Sequence, residues 1–291
     1  QPRVVPIFPA CGAVAVAGTG WLLTAPAVKP VEVAQAHTAD PVNGALVFAA
    51  AGCASCHAAP NAQDKTVLAG GHALESPFGT FYAPNIPSGP EGIGGWSLPE
   101  FSHALRAGVS PDERHYYPAF PYTSYAGMRE TDVADLYAYM RGLPSDPSAS
   151  RPHEVGFPFN IRRGIGLWKK LYLDPTPVLT GDLDAEELRG QYLVEHLAHC
   201  GECHTPRDGL GGLNREAWLS GAPNPSGKGR IPDITPATLG WSKAELVEYF
   251  TSGFTPEYDS AGGSMAPVVD NLAQLPESDR AAIAAYLLKL P

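Results

Sequence analysis

Two short stretches of this sequence hold residue types and spacings that few kinds of chemistry use: Cys53-Ala-Ser-Cys56-His57 and Cys200-Gly-Glu-Cys203-His204. Two residues between the cysteines let both thiols reach one edge of a porphyrin and form thioethers with its vinyl groups. The histidine that follows falls beneath the metal, so its imidazole can take the proximal position on iron. Paired cysteines also serve zinc sites and thioredoxin-like redox pairs. Zinc is weakened by the immediate His and by the long gap between the pairs; a redox pair lacks its strand-helix-strand setting. Four of the five cysteines are used this way. The expectation is two covalent haem groups, one on Cys53 and Cys56 and one on Cys200 and Cys203, with His57 and His204 as proximal ligands.

Helices must carry these motifs into place. The segment from Asn43 to Ala51 has apolar residues on one face and runs straight into Cys53. Asp184 and Glu187 form a capping box that opens a helix through Tyr192, Leu193 and Leu197 to Cys200. Ser97 and Glu100 make another after Trp96, and Trp241-Ser242-Lys-Ala-Glu245 repeats it. The pattern predicts one helix from about Thr131 to Arg141, ending at Gly142-Leu-Pro144, and one from about Glu277 to Leu288, before Leu290-Pro291. The two motifs, and the two Leu-Pro endings, are each separated by 147 positions, so the second half reads as a copy of the first.

A thioether on the distal face raises the reduction potential relative to a second imidazole. In the first half the candidates are Met128, Met140, His72, His103 and His115. Met140 falls inside a periodic helix and suits a core role, whereas Met128 precedes that helix and is free to approach iron. Met128 is therefore the expected ligand, with His115 the runner-up. In the second half no histidine follows His204 and Met265 is the one methionine after Met140, so Met265 is expected there. His196 and His199 are expected at the surface or a haem edge.

The chain of 291 residues suits two modest domains, and its 31 Gly and 30 Pro predict long loops between short helices. A net charge of -10 without a basic patch argues against a nucleic-acid partner. From Val4 to Val28 no residue is charged, a run long enough to cross a bilayer. It reads as an uncleaved signal-anchor within residues 1–30, with residues 31–42 as a tether. Cys11, alone in that run, reads as a small buried hydrophobe. Covalent haem attachment happens outside the cytoplasmic membrane, which places the remainder on the periplasmic face of the bacterial inner membrane. In a connector over residues 145–183, the stretch Asn160 to Tyr172 reads as a basic amphipathic strap. It should pack Trp168 and Leu171 on both domains and leave Lys169 and Lys170 in water.

The stretch from Asn43 to Pro291 resembles the c-type cytochrome subunits of bacterial membrane-bound alcohol, gluconate and related dehydrogenases. The residues that carry the resemblance are Phe78-Gly-Thr-Phe-Tyr82-Ala-Pro-Asn85-Ile86, Gly92-Ile-Gly94-Gly-Trp96-Ser97, His115 through Met128, and Cys203-His204-Thr-Pro206-Arg207. The resemblance implies Met128 and Met265 as distal ligands. It also implies electrons received from a catalytic subunit with a molybdenum, flavin or quinone cofactor and passed to quinone, another cytochrome or an oxidase. Many relatives carry a third haem domain and a C-terminal anchor; here the sequence shows two motifs and an apolar run at the front, so direct quinone reduction is not implied.

The expected fold is all-α: two tandem class I-like cytochrome c domains, residues 43–144 and 184–291, behind an N-terminal apolar anchor helix. Two six-coordinate irons leave no position for a substrate, so the expected role is electron transfer without substrate chemistry. The rival is a dihaem enzyme with an open iron, of peroxidase or thiosulfate-oxidising type.

Overall fold

The computed structural model describes residues 18–26, 37–225, 227 and 229–291. In the first half, α1 (Pro41–Ala50) begins two residues earlier than the apolar pattern suggested. Asp40 caps it, accepting from the Val42 N–H at 2.8 Å, and Pro41 stands where a missing N–H leaves no bond unmade. Then come the motif helix α2 (Cys53–His57), α3 (Leu98–Ala107), the single turn α4 (Tyr122–Tyr125) and α5 (Glu130–Arg141). Helix α1 crosses α5 at Gly44, where a Cβ would lie 2.1 Å from the Asp135 carbonyl oxygen.

The second half repeats the plan. Its elements are α7 (Ala185–Tyr192), α8 (Gly201–His204), α9 (Pro236–Leu239), α10 (Lys243–Ser252), α11 (Met265–Leu272) and α12 (Glu277–Lys289). All three capping boxes form, at Ser97, Asp184 and Ser242. Gly190 on α7 meets α12 as Gly44 meets α5, with a Cβ there 1.9 Å from the Ala282 carbonyl oxygen. The two glycines are 146 positions apart, but Asp135 and Ala282, like the motif cysteines, are 147 apart. The difference is absorbed by a π turn over Leu193–Leu197, which accommodates one extra residue without ending the helix. Buried in it, Glu195 accepts from the Val178 N–H and from the Tyr286 hydroxyl, each at 2.7 Å.

The chain is mostly helical rather than all-α. The loop after His57 folds into a hairpin of β1 (Ala73–Ser76) and β2 (Gly79–Tyr82), turned through Gly79 at φ 132°. A third strand, β3 (Glu154–Val155), pairs antiparallel to β2 and stitches the connector to the first domain. A second small sheet joins β4 (Ala222–Pro223) to β5 (Arg230–Ile231). Strands of two to four residues carry too little alternation to stand out in a Gly- and Pro-rich loop.

The connector's strap is α6 (Gly164–Tyr172), shorter than the expected segment. Trp168 does bridge the halves, its indole donating to the Leu210 carbonyl at 3.0 Å and its ring meeting Tyr122 edge-on. Leu171 is exposed and Lys169 is buried, the reverse of the expectation. The Lys169 ammonium donates to the carbonyls of Ala107 and Gly108, each at 2.6 Å, and to His115 Nδ1 at 3.1 Å. The end of α3 thus offers it carbonyls, that of Gly108 shared with the Tyr116 N–H, which a cation satisfies well.

Most of the proposed anchor, and residues 31–36 of the tether, lie outside the described residues. Residues 18–23 are helical, and no helix among the described residues is long and apolar enough to cross a membrane. The far end of the tether is fastened down. Asp135, buried on α5, accepts from His37 Nε2 at 2.6 Å, from the Asp40 N–H at 2.7 Å and from Asn43 Nδ2 at 2.7 Å. Burial pushes its carboxyl pKa up, but those donors outweigh it and leave the pKa below the usual range. A carboxylate favoured in the folded state stabilises above its unfolded pKa of about 3.9, and that contribution is lost as pH falls through the lower folded value. Asp135→Asn, which cannot accept all three bonds, is expected to cost about 1–3 kcal/mol at neutral pH. Thermal melts should show the two proteins converging as pH drops below about 4.

Candidate haem sites

Each motif follows a helix that stops at one left-handed residue. Gly52 (φ 64°) turns α1 into α2, and His199 (φ 42°) occupies the matching place before Cys200. Burial, with Cys56 nearby, pushes the Cys53 thiol up to about 12; burial and Cys203 do the same for Cys200. Such thiols are protonated at neutral pH, unlike the low-pKa thiolate of a redox pair. The imidazoles are fixed from behind. His57 Nδ1 lies 2.9 Å from the Pro84 carbonyl oxygen, and His204 Nδ1 lies 2.8 Å from that of Pro232. A carbonyl only accepts, so each Nδ1 carries the proton and each Nε2 presents a lone pair. Burial also lowers both ring pKa values, keeping them neutral. Two thiols beside a neutral imidazole with its Nε2 bare suit a covalently attached haem iron.

Pro84 was quoted only within the stretch that carries the resemblance and Pro232 not at all, and neither was given this role, although a signal was there: Pro84-Asn85-Ile86 and Pro232-Asp233-Ile234 follow the two motifs at nearly equal distance. The Asn85 amide holds the first loop, donating to the carbonyls of Ser148 at 2.6 Å and Asp146 at 3.1 Å.

The other candidates fall out unevenly. His115 has both nitrogens engaged, Nε2 at 3.0 Å from the Thr24 carbonyl oxygen and Nδ1 beside Lys169, so it serves the strap. Met140 lies in the core on α5 and His103 is buried on α3. Met128 is 1% exposed and Met265 is half-buried at the first turn of α11. The two methionines are not equivalent by position. Met128 bonds back to the Tyr125 carbonyl just before α5 as Leu275 bonds back to Leu272 before α12, and these pairs keep the 147-residue offset. The stretch matching Met265 is Pro118 to Phe120.

The motifs meet across the join between the halves. Asn271 Nδ2 donates to Ser55 Oγ at 2.8 Å, while Ser124 Oγ donates to Glu202 Oε1 at 3.3 Å and Thr123 Oγ1 to the same oxygen at 2.9 Å. Ser55 and Glu202 are motif residues 147 positions apart, and so are their partners Ser124 and Asn271. Reciprocity of this kind defines a two-fold contact. Besides burial, Cys203 of one motif raises the pKa of Cys56 in the other. His196 and His199 belong to this join rather than to the surface, reaching the carbonyl oxygens of Ser124 at 3.2 Å and Ala51 at 3.3 Å.

The family model for cytochrome c matches residues 41–144 and again residues 188–291. The chain belongs to the cytochrome c family. A protein of Cereibacter sphaeroides named diheme cytochrome c-type is 53% identical over 282 residues, 96% of this chain and 95% of that one. The fructose dehydrogenase cytochrome subunit of Gluconobacter japonicus is 39% identical across 89% of this chain. The cytochrome c subunit of alcohol dehydrogenase (quinone) from Gluconobacter oxydans is 32% identical across 94% of it. This cytochrome spans 54% and 60% of the length of those two subunits. It has two tandem cytochrome c domains and carries two covalently bound haems c.

Proposed function

We propose that this dihaem cytochrome is an electron-transfer subunit. It accepts electrons from the catalytic subunit of a periplasmic dehydrogenase and passes them on to the respiratory chain. The observation that carries the proposal is the two-fold join, which ties each motif helix to the opposite half, Ser55 to Asn271 and Glu202 to Ser124. Relatives named as cytochrome subunits of fructose, alcohol and gluconate dehydrogenases support a catalytic partner of that kind.

On this reading Cys53, Cys56, Cys200 and Cys203 form the thioethers, His57 and His204 are proximal ligands, and Met128 and Met265 are the distal ones. Bound haem supplies the one-electron couple. The chain contributes the rest. Pro84 and Pro232 hold the imidazole tautomers, buried aromatic and aliphatic side chains exclude water, and the join fixes the spacing of the halves. Because Met265 is less buried than Met128, the second haem should have the lower potential of the two.

The uncharged run before Lys29 is read as holding the protein to the outer face of the inner membrane. Extraction in mild detergent should bring down a large catalytic subunit in stoichiometric yield, and that subunit's substrate should reduce both haems. A cytochrome that leaves the membrane alone and stays oxidised with every dehydrogenase substrate would count against this role. A high-spin iron that binds cyanide as isolated would favour the enzymatic rival.

A further inference from the structure

Helix α6 reverses the usual order of an amphipathic helix. Lys169 lies in the core, while Leu167 and Leu171, one turn apart on the opposite side, are 57% and 60% exposed. Apolar exposure continues before the start of the helix. Phe157 is 81% exposed, and Phe159 rests edge-on against Phe78 with centroids 4.9 Å apart. At the same end of the helix Arg163 lies over the Trp21 ring at 4.2 Å, bonds the Trp21 carbonyl and donates to Thr24 Oγ1 at 3.2 Å. The strap thereby holds residues 18–24, where Trp21, Leu22 and Leu23 are all exposed.

The charge on this face has one sign. Lys169 being turned into the core, the cations between residues 157 and 173 that remain for this face are Arg162, Arg163 and the exposed Lys170, with no acid in that stretch, in a chain whose net charge is -10. An apolar stripe edged with cations suits a bilayer with anionic headgroups, which offers hydrocarbon and negative charge together. Position favours the same occupant, because Trp21 and Thr24, in the later part of the uncharged run from Val4 to Val28, are held against the strap and bring the preceding apolar residues to this face.

We propose that the outer face of α6 lies on an anionic lipid surface, with Leu167 and Leu171 at the boundary between headgroups and acyl chains and Lys170 among lipid phosphates. This rests on the reading of the N-terminal run as membrane-inserted and adds a second, interfacial contact to it. The contact would fix the tilt of both domains above the membrane.

The test uses the full-length holo-cytochrome with Cys11→Ser, carrying a nitroxide after Leu171→Cys or, as control, after Leu188→Cys on the exposed side of α7. On phosphatidylcholine–phosphatidylglycerol vesicles, the label at 171 should gain collisions with oxygen and lose those with a water-soluble nickel chelate several-fold. The label at 188 should not change. If the protein binds vesicles but both labels stay equally wet, the strap contact is wrong and the N-terminal anchor stands. If it does not bind them, both readings fail. Protection at 171 in a lipid-free complex with a co-purified subunit would assign this face to protein and overturn the proposal.

Discussion

Met128→Leu should remove the far-red methionine-to-iron charge-transfer band of one haem and leave that of the other, halving its intensity per chain. The potential of the affected haem should fall by on the order of 100 mV or more, within the roughly 0.8 V range that axial ligands span. Leucine matches the volume of methionine, so packing around this fully buried position should survive. Spectropotentiometry on the variant and on Met265→Leu would therefore assign each wave to one half. The register makes the experiment decisive. Met128 stands where the second domain has Leu275, a buried apolar residue at the threshold of the last helix. If Met128→Leu leaves spectrum and potential untouched, Met128 is a packing residue like Leu275. The first iron then takes its distal ligand elsewhere or has none, and the six-coordinate reading fails for that domain.

Replacement of Lys169 by Met is expected to have the largest effect on stability outside the haem ligands. It would leave the Ala107 carbonyl and the His115 Nδ1 without their donor, and the Gly108 carbonyl with the Tyr116 N–H alone, in a place that water does not reach. Orphaning buried acceptors of this kind costs roughly 2–4 kcal/mol. For a chain of this size that lowers the melting temperature by about 5–10 °C. The pH dependence carries a further signature. Burial pushes the Lys169 pKa down to about 7. An amine whose folded pKa lies below its unfolded value of about 10.4 adds stability that is complete above the unfolded value and is lost as pH falls through the folded one. The native protein should therefore gain stability between about pH 7 and pH 10, and Lys169→Met should lack that rise. Parallel pH profiles for the two proteins would show that the amine is not buried as described.

These cases show where the sequence was readable. The motifs, the capping boxes at Ser97, Asp184 and Ser242, and the helices from Glu130 and Glu277 are local patterns, and each element forms where its own residues specify it. The burial of Lys169 is decided instead by Ala107, Gly108 and His115, more than fifty positions away, and a cation in a basic helix reads as solvated until those partners are known. The register of Met128 was within reach, because the 147-residue offset that relates the motifs also pairs Met128 with Leu275. Similarity of residue type drew attention to Met265, while the count pointed to Leu275. The π turn was visible in the same way, as the one-residue difference between the spacing of Gly44 and Gly190 and that of the cysteines.

The reciprocal pairs at the join, Ser55 with Asn271 and Glu202 with Ser124, have a consequence for traffic through the molecule. A contact that looks alike from either side cannot tell forward from backward, so the middle of this conductor has no built-in rectification. Direction must come from the outer ends, where likeness breaks down: a buried methionine against a half-buried one, and a basic strap that gives its buried cation to one twin and only its indole and a tyrosine hydroxyl to the other.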